Sequence, residues 1–271
     1  MTAMDIESPA NPRLRAASGL RERRERDRSG LTLVDGLRES FRALEAGVAA
    51  ELALVCPPLL DGEGAEQIRD LLRERGVETV DVSERAFSRV AFGDRNDGIV
   101  LVVRAPTTDL AAIRFHEGED PLVVVTEDIE KPGNLGAILR SADGAGASAV
   151  IAVGGTDLFN PNVIRASTGT VFSVPIATAT AKAVLHWLRE HGLRIVAAKV
   201  DAARLHTAAD LTGPLAIVLG NEATGLSAAW DAPDVESLRL PMLGVADSLN
   251  VSIAGAVLLY EARRQRDGQG R

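Results

Sequence analysis

Five aliphatic runs in the second half of the chain limit its fold more than any other feature. They are LVVVTED (122–128), SAVIAVGG (148–155), LRIVAAKV (193–200), LAIVLGN (215–221) and SLRLPM (237–242). Most are nearly continuous in apolar residues rather than alternating. That is the pattern of parallel strands covered on both faces by helices. Helical spacing fits 134–145, 179–191 and 248–265. A smaller alternation comes first: strands at 31–36, 51–56, 77–82 and 98–104, with helices at 37–47 and 66–76 and a basic helix over 11–28. The expected organisation is an α/β domain over 1–104, a linker over 105–121 where the pattern lapses, and an α/β domain with a parallel sheet over 122–271.

Only 3% of the 271 residues are aromatic, so the cores must be aliphatic. A net charge of −8 leaves no global electrostatic footprint for nucleic acid, and any such contact has to be local. No run approaches the roughly 18 apolar residues of a membrane span. The N-terminus lacks the basic-then-apolar order of a secretory signal. The single cysteine, Cys56, permits no internal disulfide and reads as a small buried hydrophobe. A cytoplasmic protein is expected.

Several chemistries are disfavoured by missing motifs. There is no GxxxxGK[ST] phosphate loop and no GxSxG nucleophile elbow. The run Gly144-Ala145-Gly146-Ala147-Ser148-Ala149 imitates a dinucleotide fingerprint. It ends a helix and precedes a strand, however, which is the reverse of the required order, and it reads better as a helix C-cap and turn. His116, His186, His191 and His206 show no metal-ligand spacing, and no metal is expected.

Three stretches go beyond what folding alone requires. In EDIEKPGNLGAILRSADGAGA (127–147), Lys131-Pro132-Gly133-Asn134 forms a turn into a helix whose core stripe is Leu135, Ile138, Leu139 and Ala142. Arg140 stands off that stripe among small residues. In IVLGNEATGLS (217–227), a buried strand runs into Gly220-Asn221-Glu222, and glycine at a strand's carboxyl end allows a ligand close to the backbone. In LPMLGVADSLNVSIAGAVLLYEARRQR (240–266), a glycine loop again joins strand to helix. Ser252, Ala254, Gly255 and Ala256 leave that helix open to close packing on more than one side. A solvated surface role remains the alternative for Arg140, and capping or charge-complementing the helix start near Gly225 is the alternative for Glu222.

Taken in this order, the three stretches resemble the SpoU/TrmH family of SPOUT methyltransferases, which methylate ribose 2′-hydroxyls in RNA. VIRASTGTVFSVPI (163–176) resembles the family's segment between its first two motifs, and NPRLRAASGLRERRERDRSGLTLVDG resembles the start of its ribosomal-protein-like substrate-binding module. The resemblance implies a parallel sheet tied into a deep trefoil knot, preceded by a small α/β/α substrate-binding domain. It implies S-adenosylmethionine held by main chain around Gly220, Leu240 and Leu249, with Met242 and Ala198 beside them. The implied catalytic set is Arg140, Asn134, Glu222, Ser248 and Asn250, with Glu222 fixing Arg140 or a backbone amide. A homodimer through the C-terminal helix is implied, with RNA as substrate and neither DNA nor membrane as partner. Two departures stand out. Val34-Asp35-Gly36 replaces the usual Glu-Gly pair, which bears on substrate preference, and Ala145-Gly146 lacks the usual aromatic.

The acidic total charge is compatible with RNA if the basic helix makes the phosphate contacts through Arg13, Arg21, Arg23 and Arg24. Internal pairing with Glu22, Glu25 and Asp27 is the alternative. Arg165 either reaches RNA across the dimer or forms an ion pair. Ribosomal RNA is the favoured substrate; transfer-RNA methylation and a non-catalytic ribosome assembly factor are the competing readings.

Overall fold

The computed structural model describes residues 5–92, 96–116 and 118–269, so the first residues of the N-terminus read above lie outside it. The chain divides into two compact units, one of residues 1–106 with 159–173 and one of 107–158 with 174–271.

The first unit contains α1 (Pro12–Gly19), α2 (Arg23–Ser29), β1 (Leu31–Asp35), α3 (Leu37–Glu45), β2 (Ala50–Val55), α4 (Glu63–Glu74), β3 (Thr79–Asp81), α5 (Glu84–Phe87) and β4 (Ile99–Arg104). Its sheet runs β1-β4-β2-β3, with β4 antiparallel to β1 and β2, and β3 parallel to β2. Leu14, Leu33, Leu54, Phe87 and Val100 fill the core together with Cys56, which is free and buried as expected.

The expected single basic helix is broken into α1 and α2. Gly19 weakens the helix at the break. The buried Arg26 then donates from Nη1 to the carbonyls of Leu20 (2.7 Å) and Arg21 (2.6 Å), satisfying groups that a continuous helix would have paired.

The second unit contains β5 (Leu122–Glu127), α6 (Pro132–Gly144) and β6 (Ala149–Val153). After α7 (Pro161–Ala166), which belongs to the first unit, it continues with β7 (Ile176–Ala179), α8 (Ala181–Glu190), β8 (Arg194–Ala198), β9 (Arg204–Leu205), β10 (Leu215–Leu219), β11 (Val235–Arg239) and α9 (Val251–Gln269). All strand pairs in its seven-stranded sheet, ordered β7-β6-β5-β10-β8-β11-β9, are parallel. Val123, Val125, Ala216 and Val218 pack with Val184, Trp187 and Leu188 of α8. Alternation along the strands turns Val124 and Ile217 to the other face, where Gly255 of α9 lies directly against Leu219. α6 ends as its sequence suggested, with Gly146 in the left-handed region at φ +71°.

Two stretches depart from the expected division. Residues 107–121 are not a free linker: Ile113 is buried, and Thr108 accepts from Thr178 N at 2.9 Å. Residues 159–173 pack with the first unit rather than with their sequence neighbours. Thr32 Oγ1 donates to Phe159 O (2.7 Å), Arg42 Nη1 donates to Thr168 O (2.7 Å), and Gly169 has its backbone against Glu39 and Arg42, where a Cβ would meet heavy atoms at 3.1–3.2 Å.

Candidate active site

The carboxyl ends of β10, β8 and β11 lie side by side and open into a cavity of about 560 Å3. The two glycine-bearing loops are therefore not on adjacent strands: β8 stands between them and supplies a third wall through Ala198 and Lys199. Gly220, Leu240, Met242, Ser248 and Leu249 all line the cavity, with Leu219, Leu238 and Leu258 giving it apolar walls. This size lies within the roughly 300–1,000 Å3 usual for small-molecule sites.

Gly220 is required by the tightness of its turn. Asn221 N donates to Gly225 O (3.1 Å) and Gly225 N to Asn221 O (2.9 Å). A Cβ on Gly220 would lie 2.6 Å from the Gly225 carbonyl. The Asn221 side chain closes the turn, accepting from Ala223 N (2.8 Å) and donating to Asp128 O (2.8 Å). Asp128 lies in the left-handed region at φ 51°, a conformation uncommon outside glycine that Asp tolerates better than most residues.

Beside this cavity stands a polar cluster centred on Glu222. Its Oε2 is 2.7 Å from Lys131 Nζ, and its Oε1 accepts from Asn134 Nδ2 (2.9 Å) and Asn250 Nδ2 (2.6 Å). Asn250 Nδ2 also donates to Asn134 Oδ1 at 3.1 Å. Asn250 Oδ1 in turn accepts from Ser252 N (3.0 Å), capping the start of α9. One carboxylate thus ties the start of α6, the turn after β10 and the start of α9. The hydrogen bond from Lys131 holds the Glu222 carboxyl below its ordinary range, with the Val251 amide and Asn134 adding to the effect, and the same bond raises Lys131. At neutral pH the pair is carboxylate and ammonium, so neither is poised as a base.

Of the five polar residues carried over by resemblance, Asn134, Glu222 and Asn250 meet in this cluster, and Ser248 lines the neighbouring cavity. Arg140 joins neither. It is six residues beyond Asn134, hence ~9 Å along the helix axis and turned well around it. It is exposed and lines neither the larger cavity nor the smaller one at Glu222. Glu222 meets Lys131, Asn134, Asn250 and the backbone amide of Val251, and not Arg140. Lys131 and Asn221 were not singled out from the sequence as contacts, where both read as turn residues.

The proposed RNA-contacting arginines lie in the first unit, and several have partners there. Arg13 pairs with Glu78 (2.6 Å), Arg23 with Asp27 (3.6 Å), and Arg21 stacks 4.3 Å above Phe92 while donating to Ala91 O (2.6 Å). Arg24 is exposed. Arg165, two-thirds or more covered, is paired with the buried Asp35 at 3.2 Å and also donates to Phe92 O. Burial pushes the Asp35 carboxyl up to about 6, against the opposing effects of the Phe92 amide and Arg165. Among the described residues no helix is long and apolar enough to cross a membrane, and no group of three His, Cys, Asp or Glu could hold a metal ion.

Two family models match the chain. Residues 121–260 match the SpoU rRNA Methylase family, and residues 11–101 match the MRM3-like substrate binding domain. The chain is 35% identical to a 23S rRNA (uridine(2479)-2′-O)-methyltransferase of Streptomyces viridochromogenes, over 91% of this chain and 87% of that protein. A solved RNA 2′-O ribose methyltransferase is 43% identical, with a TM-score of 0.83 over 96% of this chain and 98% of the other. The AdoMet-bound rRNA methyltransferase of Sinorhizobium meliloti is 31% identical, with a TM-score of 0.85 over 96% and 97% of the two chains.

Proposed function

The chain belongs to the SpoU rRNA Methylase family, and from that premise we propose that it transfers the methyl group of S-adenosylmethionine to a ribose 2′-hydroxyl of ribosomal RNA. The observation that carries this reading is the convergence of three strand ends on one cavity, with the Glu222 cluster at its rim. The cavity suits the donor. Leucine side chains offer flat apolar walls for an adenine, and the main chain at Gly220 and Leu240 can hydrogen-bond its edges.

The donor supplies a sulfonium methyl that is already electrophilic. What the protein must add is alignment of a weakly nucleophilic hydroxyl and a route for its proton. Asn134, Asn250 and Ser248 orient the ribose, with Glu222 fixing the two asparagines. A guanidinium keeps its proton, so Arg140 acts as a clamp on phosphate and on the developing alkoxide, while the proton leaves to phosphate or water. Since Arg140 lines neither cavity of its own chain, we place it in a site completed by a second copy. Ile253, Val257 and Tyr260, which are 53%, 38% and 53% exposed on α9, form the apolar face for that dimer.

RNA engages Arg13, Arg21, Arg23 and Arg24, all four of which are exposed. The Asp35 pair favours the structural role for Arg165. The enzyme works in the cytoplasm, where ribosomal RNA is found. The test is methyl transfer from tritiated S-adenosylmethionine to separated RNA pools from cells lacking the gene. Label confined to ribosomal RNA, at a ribose whose phosphodiester resists alkali, is the expected result. Label on transfer RNA, or on no RNA, contradicts the reading.

A further inference from the structure

Next to the donor cavity is a second one of about 230 Å3, which shares Asn221, Glu222, Ala223 and Val251 with it. Its charged lining is unfavourable to a polyanion. Asp128, Glu130 and Glu222 contribute three carboxylates, and among the lining residues Lys131 is the single cation. Any RNA phosphate that approaches the donor from this side must be met at Lys131, because everything else there that is charged repels it.

The lysine has the freedom to do this. Its side chain is 73% exposed, and of its three N–H donors one is directed at Glu222. The other lysine near the donor, Lys199 in the larger cavity, is far less available: its side chain is 22% exposed and sits between Asp231 and the Trp230 carbonyl. An exposed ion pair such as Lys131–Glu222 is weak and exchanges readily for another anion.

We propose that Lys131 is a substrate-binding residue, whose ammonium, stored against Glu222 in the free enzyme, grips a phosphodiester beside the target ribose. Lys131 remains protonated throughout, and no bond is made or broken at it. On RNA binding it bridges Glu222 and the phosphate. The same residue therefore couples arrival of the substrate to the carboxylate that orients Asn134 and Asn250. This inference rests on the methyltransferase reading of the site.

The test compares wild type with Lys131→Gln and Lys131→Arg, using transcribed 23S ribosomal RNA and tritiated S-adenosylmethionine. Lys131→Gln should raise the KM for RNA about tenfold, as expected for loss of one charge-assisted contact. It should also reduce the salt slope of RNA binding by about one and leave donor affinity unchanged. Lys131→Arg should restore KM and slope. A residue that merely braced Glu222 would lower kcat without touching the salt slope, so an unchanged slope in Lys131→Gln overturns the proposal, as does a parallel loss of donor affinity. Failure of the wild-type protein to label the RNA would instead strike the methyltransferase reading itself.

Discussion

At the scale of single residues, the site is organised by groups whose chain positions say little about their meeting. Glu222 binds residues 88 positions upstream and 28 downstream. Motif resemblance brought Asn134, Glu222 and Asn250 into view, but not Lys131, which looks like any turn residue until the fold sets it against Glu222. The basic stripe shows the opposite limit. Seven arginines between 11 and 28 are plain in the sequence, whereas the partners of Arg13 and Arg21, near residues 78 and 91, are not. A buried pair gives the clearest residue-scale prediction. The Asp35 carboxyl titrates near 6 when folded, against 3.8 in the unfolded chain. The folded state therefore holds the proton more tightly. The stability this contributes is present in full below the unfolded value and is lost as pH rises through the folded one, about 3 kcal/mol in all. The melting temperature of wild type relative to Asp35→Asn should accordingly fall between pH values of about 4 and 7, as followed by calorimetry. A difference that stays flat across that range would refute the assignment.

At the scale of elements, β5, β6, β8 and β10 were legible because burial on both faces leaves a nearly unbroken apolar run, and β11 was read over 237–242 although Val235–Arg239 carries Glu236 and is only partly buried. β7 and β9 were not: Ile176–Ala179 is only partly buried and interrupted by threonine, and Arg204–Leu205 is two residues long. The C-terminal helix was legible in type and in its openness to packing on more than one side, but not in which residues face which way: Leu249, Ile253, Val257 and Tyr260 are exposed, while Val251, Leu258, Leu259 and Ala262 are buried. A helix apolar on both sides needs two partners. The wild-type protein should therefore run at twice the 28.6 kDa chain mass in light scattering, and Ile253→Asp with Tyr260→Asp should reduce it to a single chain with unchanged circular dichroism. A monomeric wild type, or a variant that stays dimeric, contradicts the assigned face.

At the scale of the whole molecule, two α/β units could be read from two alternations, but their boundaries could not. Segment 159–173 crosses back into the first unit through contacts of Thr32, Arg42 and Asp35, and no local pattern announces such contacts. The placement of a pocket at strand carboxyl ends follows from the general behaviour of open parallel sheets. The third wall, β8, follows from strand order alone, which sequence does not reveal. The claim on which the function depends is that this pocket takes up S-adenosylmethionine through the turn at Gly220. Isothermal titration of the donor into wild type and Gly220→Ala measures it most directly. Saturable binding by wild type, lost in the variant while both proteins remain folded, is the predicted result; no uptake by wild type, or undiminished uptake by Gly220→Ala, would contradict it.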